Sequence, residues 1–299
     1  MKMEQFALVT HQNCMDGSAC ATLFIAAGGL RENVFFVSPN HRDVDDLVLN
    51  LLENWSGPIL IADVSISVSL AKNIKRNDII LLDHHKSAIP LKEFSWCEID
   101  VENTRCGSMM LYDWLSYNML HPPLKVGDLK ELIVLVDDND RYVKNYQESD
   151  VVSLLHEVLG QEFFIDRFLK NKSIILNPME QYVVDLEIKK RDKYIERKKK
   201  EVQVIVKEIN ERKVNVGFVY ANTHQSLLGN KICTDLNMDV AVLIGTNVSL
   251  RGSKNCPIDL SVVAKINSGG GHKLASGFSL SSILKNDLVE LVKKNIKWE

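Results

Sequence analysis

The sequence predicts an α/β protein, with a mostly parallel, doubly wound N-terminal sheet domain joined by a long helix to a smaller C-terminal α/β domain. Two observations predict this class. Short apolar strands alternate with helical segments over the first part of the chain, which is typical of a parallel sheet with helices on both faces. Three of these strands also end at a polar residue, His11, Asp63 or Asp83. Since ligands bind at the carboxyl edge of such sheets, we expect a site there.

The elements of the first part follow one another in regular alternation. Strands are predicted at 5–10, 34–37, 59–62 and 79–82, and helices at 17–28, 42–54 and 66–75. Further helices are predicted at about 107–120 and 128–136. Pro122 and Pro123 separate these two helices, because proline cannot continue a helix.

One long helix is predicted from about 178 to 210, because this charged stretch has no glycine or proline after Pro178. Its apolar residues are expected on one side: Val184, Leu186, Ile188, Tyr194, Ile195, Val202, Ile205 and Val206. The helix is expected to connect two domains. We interpret its lysines as a solvated face, with a basic rim that steers a polyanion as the alternative.

A second α/β segment is predicted after residue 212. Its strands are expected at 214–220, 240–244 and 247–251, and its helices at 226–236, 258–266 and 283–296. The run Ser268-Gly269-Gly270-Gly271-His272 lies between the last two helices. The predicted organisation is therefore a first domain at 1–175, a helical linker at 176–211 and a second domain at 212–299.

Composition narrows the class of protein. The chain has 299 residues, of which 45% are hydrophobic, as in an ordinary globular protein of about two domains. No run reaches the roughly 20 apolar residues of a membrane span, and a strand follows the N-terminus where a signal peptide would place its apolar segment, so we expect a cytoplasmic protein. The six dispersed cysteines form no C-x-x-C pair, and they fit reduced, mostly buried thiols better than a disulfide framework or a zinc site. The net charge of −3 disfavours a large non-specific nucleic-acid surface, but not a local basic groove.

The first polar group follows the first strand. There the chain reads His11-Gln12-Asn13-Cys14-Met15-Asp16-Gly17-Ser18. A tight turn can direct His11 and Asp16 at one point, and the small-residue helix that follows presents free N–H groups that favour an anion such as phosphate. A satisfied structural histidine is the alternative for His11.

The next two groups follow later strands. Asp63 comes after Ile59–Ala62, and its alternative role is a helix N-cap. Asp83, His84 and His85 come directly after the strand at 79–82, and consecutive residues there point in different directions. An acid with two imidazoles is a ligand set for a divalent transition metal, with manganese favoured if the remaining ligands are carboxylates.

A fourth group ends an apolar helix with Asp137, Asp138 and Asp140. Negative charge at a helix C-terminus is unfavourable against the helix dipole, which favours a compensating cation here. Solvated helix-end acids are the alternative. All four groups stand at the ends of elements, so their joint occurrence predicts one metal site.

These residues resemble the motifs of the DHH phosphoesterase superfamily, named after a triplet of the Asp83-His84-His85 type. His11 with Asp16 resembles its first motif, Asp63 its second and the acids at 137–140 its fourth. The C-terminal part looks like the associated DHHA1 substrate domain. This likeness depends on Arg251, the run ending at His272 and the run Ala275-Ser276-Gly277-Phe278. The resemblance covers nearly the whole chain. Within the superfamily, the chain resembles the small two-domain members of the RecJ-like and nanoRNase-like types.

The resemblance implies a hydrolase of phosphoesters or phosphoanhydrides that uses two divalent cations, usually Mn²⁺, with Mg²⁺ as the alternative. The implied metal ligands are His11, Asp16, Asp63, Asp83, His84 and Asp138. Asp137 and Asp140 stay open as alternatives to Asp138. His85 and Asp83 take the implied catalytic roles. The first motif departs from many relatives, since Asn13 and Ser18 stand where a further acid is expected.

The C-terminal residues are expected to recognise the substrate. Arg251 can hold a phosphate with two hydrogen bonds. Gly269, Gly270 and Gly271 let the backbone approach an anion, and His272 can donate to it, although a flexible turn would also explain three glycines.

The expected function is a metal-dependent phosphodiesterase or exonuclease that acts on short single-stranded oligonucleotides or on nucleotide phosphates. An exopolyphosphatase or pyrophosphatase is the first alternative, and a non-catalytic nucleotide-binding regulator is the second. An exposed aromatic beside the phosphate groove would favour nucleic acid, and Tyr142, Tyr220 and Phe278 are candidates. The expected partner is a short single-stranded nucleic acid or a nucleotide, no membrane partner is expected, and a homodimer is left open.

Overall fold

A five-stranded, all-parallel sheet organises the N-terminal part of the computed structural model, which describes residues 2–118, 124–209 and 212–279. Its strands are β1 (Ala7–His11), β2 (Val34–Val37), β3 (Ile59–Ala62), β4 (Ile79–Asp83) and β5 (Cys97–Ile99). They lie in the order β2-β1-β3-β4-β5, and every neighbouring pair is parallel. This confirms the predicted doubly wound class.

Helices connect and cover these strands. They are α1 (Met15–Ala26), α2 (His41–Asn54), α3 (Val68–Ala71), α4 (Gly107–Asn118), α5 (Leu124–Gly127), α6 (Lys130–Asp140), α7 (Gln147–Lys170) and α8 (Pro178–Lys200), with short 3-10 helices at Met3–Gln5, Arg31–Asn33 and Lys86–Glu93. Gly160, at a φ of 82°, divides α7 into two helical segments.

Alternate strand residues supply two cores, one on each face of the sheet. Leu8, Leu60 and Leu82 pack with residues of α1, α4, α6 and α7. Val9 and Ile61, one residue further along their strands, pack with α2, α3 and the 3-10 helix after β4. This alternation with a period of two is what burial on both faces of a sheet requires.

The strand order reverses between β1 and β3, because β2 lies on the far side of β1 while β3 to β5 follow on the other. In doubly wound sheets ligands bind at this switch point, outside the carboxyl ends of the strands. The structure places His11 and Asp63 at the ends of these two strands. The topology therefore fixes where the site must be sought.

A six-stranded mixed sheet organises the C-terminal part. Its strands are β6 (Gln203–Ile209), β7 (Arg212–Tyr220), β8 (Val240–Ile244), β9 (Asn247–Gly252), β10 (Gly270–His272) and β11 (Ala275–Ser279), in the order β10-β11-β9-β8-β7-β6. Within the described strands of this second sheet, only β7 and β8 pair in parallel. Helices α9 (Gln225–Asp235) and α10 (Leu260–Ile266) contribute to its two cores.

The chain divides into two units, Met1–Glu187 and Ile188–Glu299, so the division falls within α8. The functional assignment of 1–175, 176–211 and 212–299 stays a prediction. None of the helices in the described part of the chain has the length and apolar character of a membrane span.

The prediction of one helix up to residue 210 was wrong. Helix α8 ends at Lys200, and β6 follows as an edge strand that pairs antiparallel with β7. The segment Val204-Ile205-Val206 is β-branched throughout and so favours a strand over a helix. The predicted helix at 66–75 is also shortened to Val68–Ala71, and the predicted helix at 283–296 lies outside the described residues.

Candidate active site

Side chains from the ends of β1, β3 and β4 meet at the carboxyl edge of the sheet. His11 Nδ1 lies 3.6 Å from Asp63 Oδ2, and His84 Nε2 lies 3.5 Å from Asp63 Oδ1. Asp63 therefore stands between two imidazoles, with one oxygen toward each. Burial alone would raise the pKa of Asp63, but His11 and His84 outweigh it and lower the pKa below its ordinary value.

The backbone of Asp63 is unusual, since its φ of 62° lies in the left-handed region. Such a conformation is uncommon for a residue other than glycine and persists where surrounding contacts enforce it. The side chain is buried, with 1% of the residue exposed. Because the residue leaves the strand in this conformation, its carboxylate is fixed at the switch point.

Asp16 is held by the start of α4. Its Oδ1 accepts hydrogen bonds from the Cys106 thiol (3.0 Å) and the Ser108 N–H (2.9 Å), and its Oδ2 accepts one from the Gly107 N–H (2.8 Å). A Cβ on Gly107 would lie 2.6 Å from the Cβ of Asp63, so only glycine fits between these acids. This support was not predicted, because its signal is a small-residue helix start about 90 positions downstream.

Among the acids of the fourth group, Asp140 is the one that reaches the site. Its Oδ2 lies 3.4 Å from His84 Nε2, and Asp16, His84 and Asp140 offer ligand atoms within 4.8 Å of one another. Asp138 lies elsewhere, because its carboxylate accepts from the N–H groups of Asn145 (2.7 Å) and Tyr146 (3.3 Å). The geometry thus favours Asp140 over the predicted Asp138 as a ligand.

Asp137 has a structural environment. It accepts a hydrogen bond from the Cys106 N–H (2.7 Å) at the start of α4 and pairs with both Nε and Nη2 of Arg141. The acids of the fourth group therefore have three different tasks, namely a helix cap, a turn support and a candidate ligand.

Asp83 is surrounded by donors from its own chain segment. Its Oδ1 accepts from the N–H of His84 (2.8 Å), the N–H of His85 (3.3 Å) and Nδ1 of His85 (2.7 Å), while its Oδ2 accepts from the Ser65 hydroxyl. Asp83 also belongs to a group with Asp63, His84 and His85 whose ligand atoms lie within 4.8 Å. Its contacts make it the residue that orients His85, and its role as a metal ligand stays a prediction.

His84 is buried and oriented by Asn103, whose side-chain oxygen lies 2.9 Å from Nδ1. Nε2 therefore faces Asp63 and Asp140. Burial would lower the pKa of His84, but Asp63 and Asp140 outweigh it and raise the pKa to about 10. A metal-ligating histidine commonly has its other nitrogen held in this way.

The unpartnered atoms of this centre fit a metal cation. Among the described residues, Asp63 Oδ2 and His84 Nε2 are buried polar atoms without a hydrogen-bond partner, although both lie in the group of acids and imidazoles. Such buried orphan atoms are rare in native proteins and need a partner. Carboxylates with imidazoles are a donor set for divalent transition metals.

The charges of the centre support the same conclusion. Burial and the charge of Asp63 raise the pKa of Asp16 well above its ordinary value, and the same causes raise the pKa of Asp140. Crowded buried carboxylates repel one another unless a cation or a proton stands between them. His11, Asp16, Asp63, His84 and Asp140 could hold a divalent cation.

The C-terminal unit has a cavity of about 620 Å³. Its lining includes Ser249, Arg251, Gly269, Gly270, His272 and Phe278. Arg251 donates to Ser249 Oγ (2.9 Å) and to Ser226 Oγ (2.7 Å), which orients its guanidinium. Four of the five predicted substrate-binding residues therefore line one cavity.

The three glycines have different environments. A Cβ on Gly269 would lie 2.2 Å from the carbonyl oxygen of Gly277, and one on Gly271, at a φ of 132°, would lie 2.5 Å from the Cα of Ser276. Both are required by the β10–β11 hairpin. A Cβ on Gly270 would meet nothing within 4 Å. Gly270 is therefore the glycine whose backbone is open to a ligand.

Comparisons with known proteins agree with this architecture. A scan against protein-family models finds no match to the chain. The chain is 28% identical over 300 residues to the oligoribonuclease NrnB of Bacillus subtilis (strain 168), covering 92% of this chain and 73% of that protein.

Two solved structures share the fold over 97% of this chain, each with a TM-score of 0.55. One is the pGpG-specific phosphodiesterase PggH from Vibrio cholerae, at 14% identity and with 98% of that chain covered. The other is RecJ from Thermus thermophilus in complex with Mn²⁺, at 13% identity and with 51% of that chain covered. With the four motifs, these relatives support the resemblance of the chain to the DHH/DHHA1 phosphoesterase superfamily.

Proposed function

We propose that this protein hydrolyses phosphodiester bonds of short single-stranded oligonucleotides, with divalent cations bound at the carboxyl edge of its parallel sheet. The observation that carries the proposal is the convergence of His11, Asp16, Asp63, His84 and Asp140, together with two buried ligand atoms that have no hydrogen-bond partner in the described part of the chain. The related protein is named an oligoribonuclease, and one protein of the same fold is named a pGpG-specific phosphodiesterase, which supports a short substrate.

The cations would be held by two sets of residues that share Asp63. His84 faces one of its oxygens and forms a ligand group with Asp16 and Asp140, and His11 faces the other oxygen. When bound, two divalent cations activate a water molecule and neutralise charge on the phosphoryl oxygens. We propose manganese because imidazole and carboxylate ligands suit it, with Mg²⁺ as the alternative.

His85 is proposed to act on the reacting phosphate. Its Nδ1 is engaged by Asp83, which leaves Nε2 as the ring nitrogen available to a phosphoryl or leaving oxygen, and 45% of its side chain is exposed. The pKa of His85 is raised, since Asp83 outweighs the opposing effect of burial. A protonated imidazole can stabilise phosphoryl charge or protonate a leaving oxygen.

The cavity of the C-terminal unit is proposed to bind a phosphate of the substrate. Arg251 supplies a planar donor for phosphate, and the open backbone at Gly270 and the His272 side chain stand beside it. Phe278 lines the same cavity and is the best placed of the three candidate aromatics for stacking on a base.

The test is substrate choice by metal-depleted protein reloaded with Mn²⁺ or Mg²⁺. Labelled diribonucleotide, a long single-stranded DNA, cyclic dinucleotide and polyphosphate are supplied separately. We expect mononucleotides from the dinucleotide as the fastest reaction, and loss of at least about 100-fold in rate for His85→Ala. Hydrolysis of polyphosphate alone would overturn the proposal in favour of a phosphoanhydride hydrolase, and no hydrolysis of any substrate would favour a binding protein.

A further inference from the structure

A third group at the carboxyl edge contains a thiol. One ligand atom each from His11, Cys14 and Asp63 lies within 4.8 Å of the others. Cys14 ends the turn after β1 and immediately precedes α1, with an extended backbone (φ −114°, ψ 143°). The turn thus brings a sulfur next to the imidazole at the end of β1.

A second observation indicates that this group has a ligand. Asp63 Oδ2, the oxygen that faces His11, is buried and has no hydrogen-bond partner among the described residues. The other oxygen of Asp63 faces His84 instead. The two oxygens therefore face different neighbours. Cys14 belongs to the group around His11, and Asp140 contacts His84; we call these the His11 side and the His84 side.

We propose that Cys14 is a thiolate ligand of the cation on the His11 side, and that the two cation positions are therefore chemically unequal. This inference rests on the metal centre of the proposed function. The position at His84 offers nitrogen and oxygen donors, whereas the position at His11 adds sulfur. Thiolate favours Zn²⁺ and similar softer cations over Mg²⁺. The position at His11 should therefore prefer a softer cation than the position at His84. The thiol proton passes to solvent when the cation binds.

Cobalt(II) provides a direct test, because a cobalt–thiolate bond gives a near-ultraviolet charge-transfer absorption that oxygen and nitrogen ligands do not give. The full chain is stripped of metal and titrated with Co²⁺, and bound cobalt is counted by elemental analysis. We expect the absorption in the parent protein and in Cys97→Ser, whose thiol belongs to none of the three groups. We expect its loss in Cys14→Ser and in Cys14→Asp.

The affinities supply a second readout. Cys14→Ser should lower the affinity for Zn²⁺ or Co²⁺ at the His11 position by at least about tenfold, while the affinity for Mn²⁺ changes less. Cys14→Asp should restore binding of two cations without the absorption. Circular dichroism and thermal unfolding show whether each variant folds. Alkylation of the parent protein followed by mass spectrometry measures the accessibility of each thiol without any variant. Bound Zn²⁺ should protect Cys14 from alkylation but not Cys97.

The outcomes separate this inference from the proposed function. Cobalt bound to the parent protein without the absorption, or an absorption that persists in Cys14→Ser, would overturn the role of Cys14 and leave the metal centre intact. Absence of any bound cobalt, zinc or manganese in the parent protein would overturn both.

Discussion

Asp138 and Asp140 have similar sequence surroundings but different roles, and the geometry of helix α6 explains the difference. Helix α6 continues through Asp140, so consecutive residues turn by about 100°. Asp138 and Asp140 are therefore about 200° apart and face opposite sides, which is why only one of them reaches His84. The predicted helix ended at 136, so the acids lay outside it and their positions around the helix axis could not be compared.

Replacing these two acids should separate binding from stability. Asp140→Asn should weaken Mn²⁺ binding by at least about tenfold and lower turnover by at least about 100-fold, because a charged ligand is lost. Asp138→Asn should leave Mn²⁺ affinity nearly unchanged and lower the melting temperature, because the Asn145 and Tyr146 N–H groups lose a charged acceptor. Calorimetric metal titration distinguishes them, and the reverse pattern would restore Asp138 as the ligand.

His156 gives a pH dependence of stability through its own burial. Its Nε2 lies 2.9 Å from Ser18 Oγ, and burial lowers the pKa of His156 from 6.5 to about 4. Between these values the unfolded chain binds a proton that the folded chain does not, so stability is present above pH 6.5 and is lost as pH falls toward 4. At about 1.4 kcal/mol per pKa unit, the loss is roughly 3 to 4 kcal/mol at most.

Denaturant unfolding at several pH values tests this prediction. The free energy of unfolding of the parent protein should fall between pH 6.5 and 4 more steeply than that of His156→Gln, in which the titrating ring is absent. Subtracting the two curves removes the contribution of carboxylates. Parallel curves would contradict the prediction.

At the scale of elements, the start of α4 is the part that fixes the site. Its first residues donate hydrogen bonds to Asp16, while Asp137 caps the same helix end through the Cys106 N–H. An acid at a helix N-terminus is stabilised by the helix dipole, and here two acids share it. The position of Asp16 thus depends on an element from a distant part of the sequence.

Gly107→Ala should test how tightly α4 approaches the sheet. The added Cβ would lie 2.6 Å from the Cβ and 2.8 Å from the Cα of Asp63, so we expect a loss of about 2 kcal/mol in the free energy of unfolding and weaker Mn²⁺ binding. Gly127→Ala is the matched control, because a Cβ there meets nothing within 4 Å. Equal unfolding free energies for both variants would contradict this close approach.

The elements differed in how well the sequence predicted them, for local reasons. Strands at 34–37, 59–62 and 240–244 were predicted with the bounds that the structure shows, because apolar runs between turns define them. Helix α7 was not predicted, since Gly160 interrupts its pattern. Strand β6 was read as helix, because apolar spacing alone does not distinguish the two when no breaker follows Lys200.

At the scale of the whole molecule, catalysis and substrate recognition are proposed for different units. The sequence predicted the order and chemistry of the four motifs, since each stands at an element end. It could not predict the support given by Cys106, Gly107 and Ser108, because such contacts depend on tertiary packing. It placed Arg251 and His272 in one recognition site, and the structure brings both to one cavity.

Substitution of Arg251 should therefore change binding and spare the chemistry. We expect Arg251→Ala to raise KM for a dinucleotide at least about tenfold, because a charge-assisted phosphate contact is lost. The kcat should stay within about threefold of the parent value, and Mn²⁺ affinity should be unchanged. Arg251→Lys should recover part of the effect, because it keeps the charge but loses the planar fork. Lys213→Ala, an exposed cation on β7, controls for net charge. An unchanged KM in Arg251→Ala would remove the cavity from recognition.

The contacts around Asp16 also determine when the site can form during synthesis. The groups that hold its carboxylate lie 90 to 92 residues further along the chain, and Asp140 follows later still. Strand β1 and helix α1 therefore leave the ribosome well before their partners exist, and closing so long a loop costs conformational entropy. The metal centre thus cannot be completed before Asp140 has been synthesised. A cation that binds only the finished centre would select fully folded chains and stabilise them by mass action.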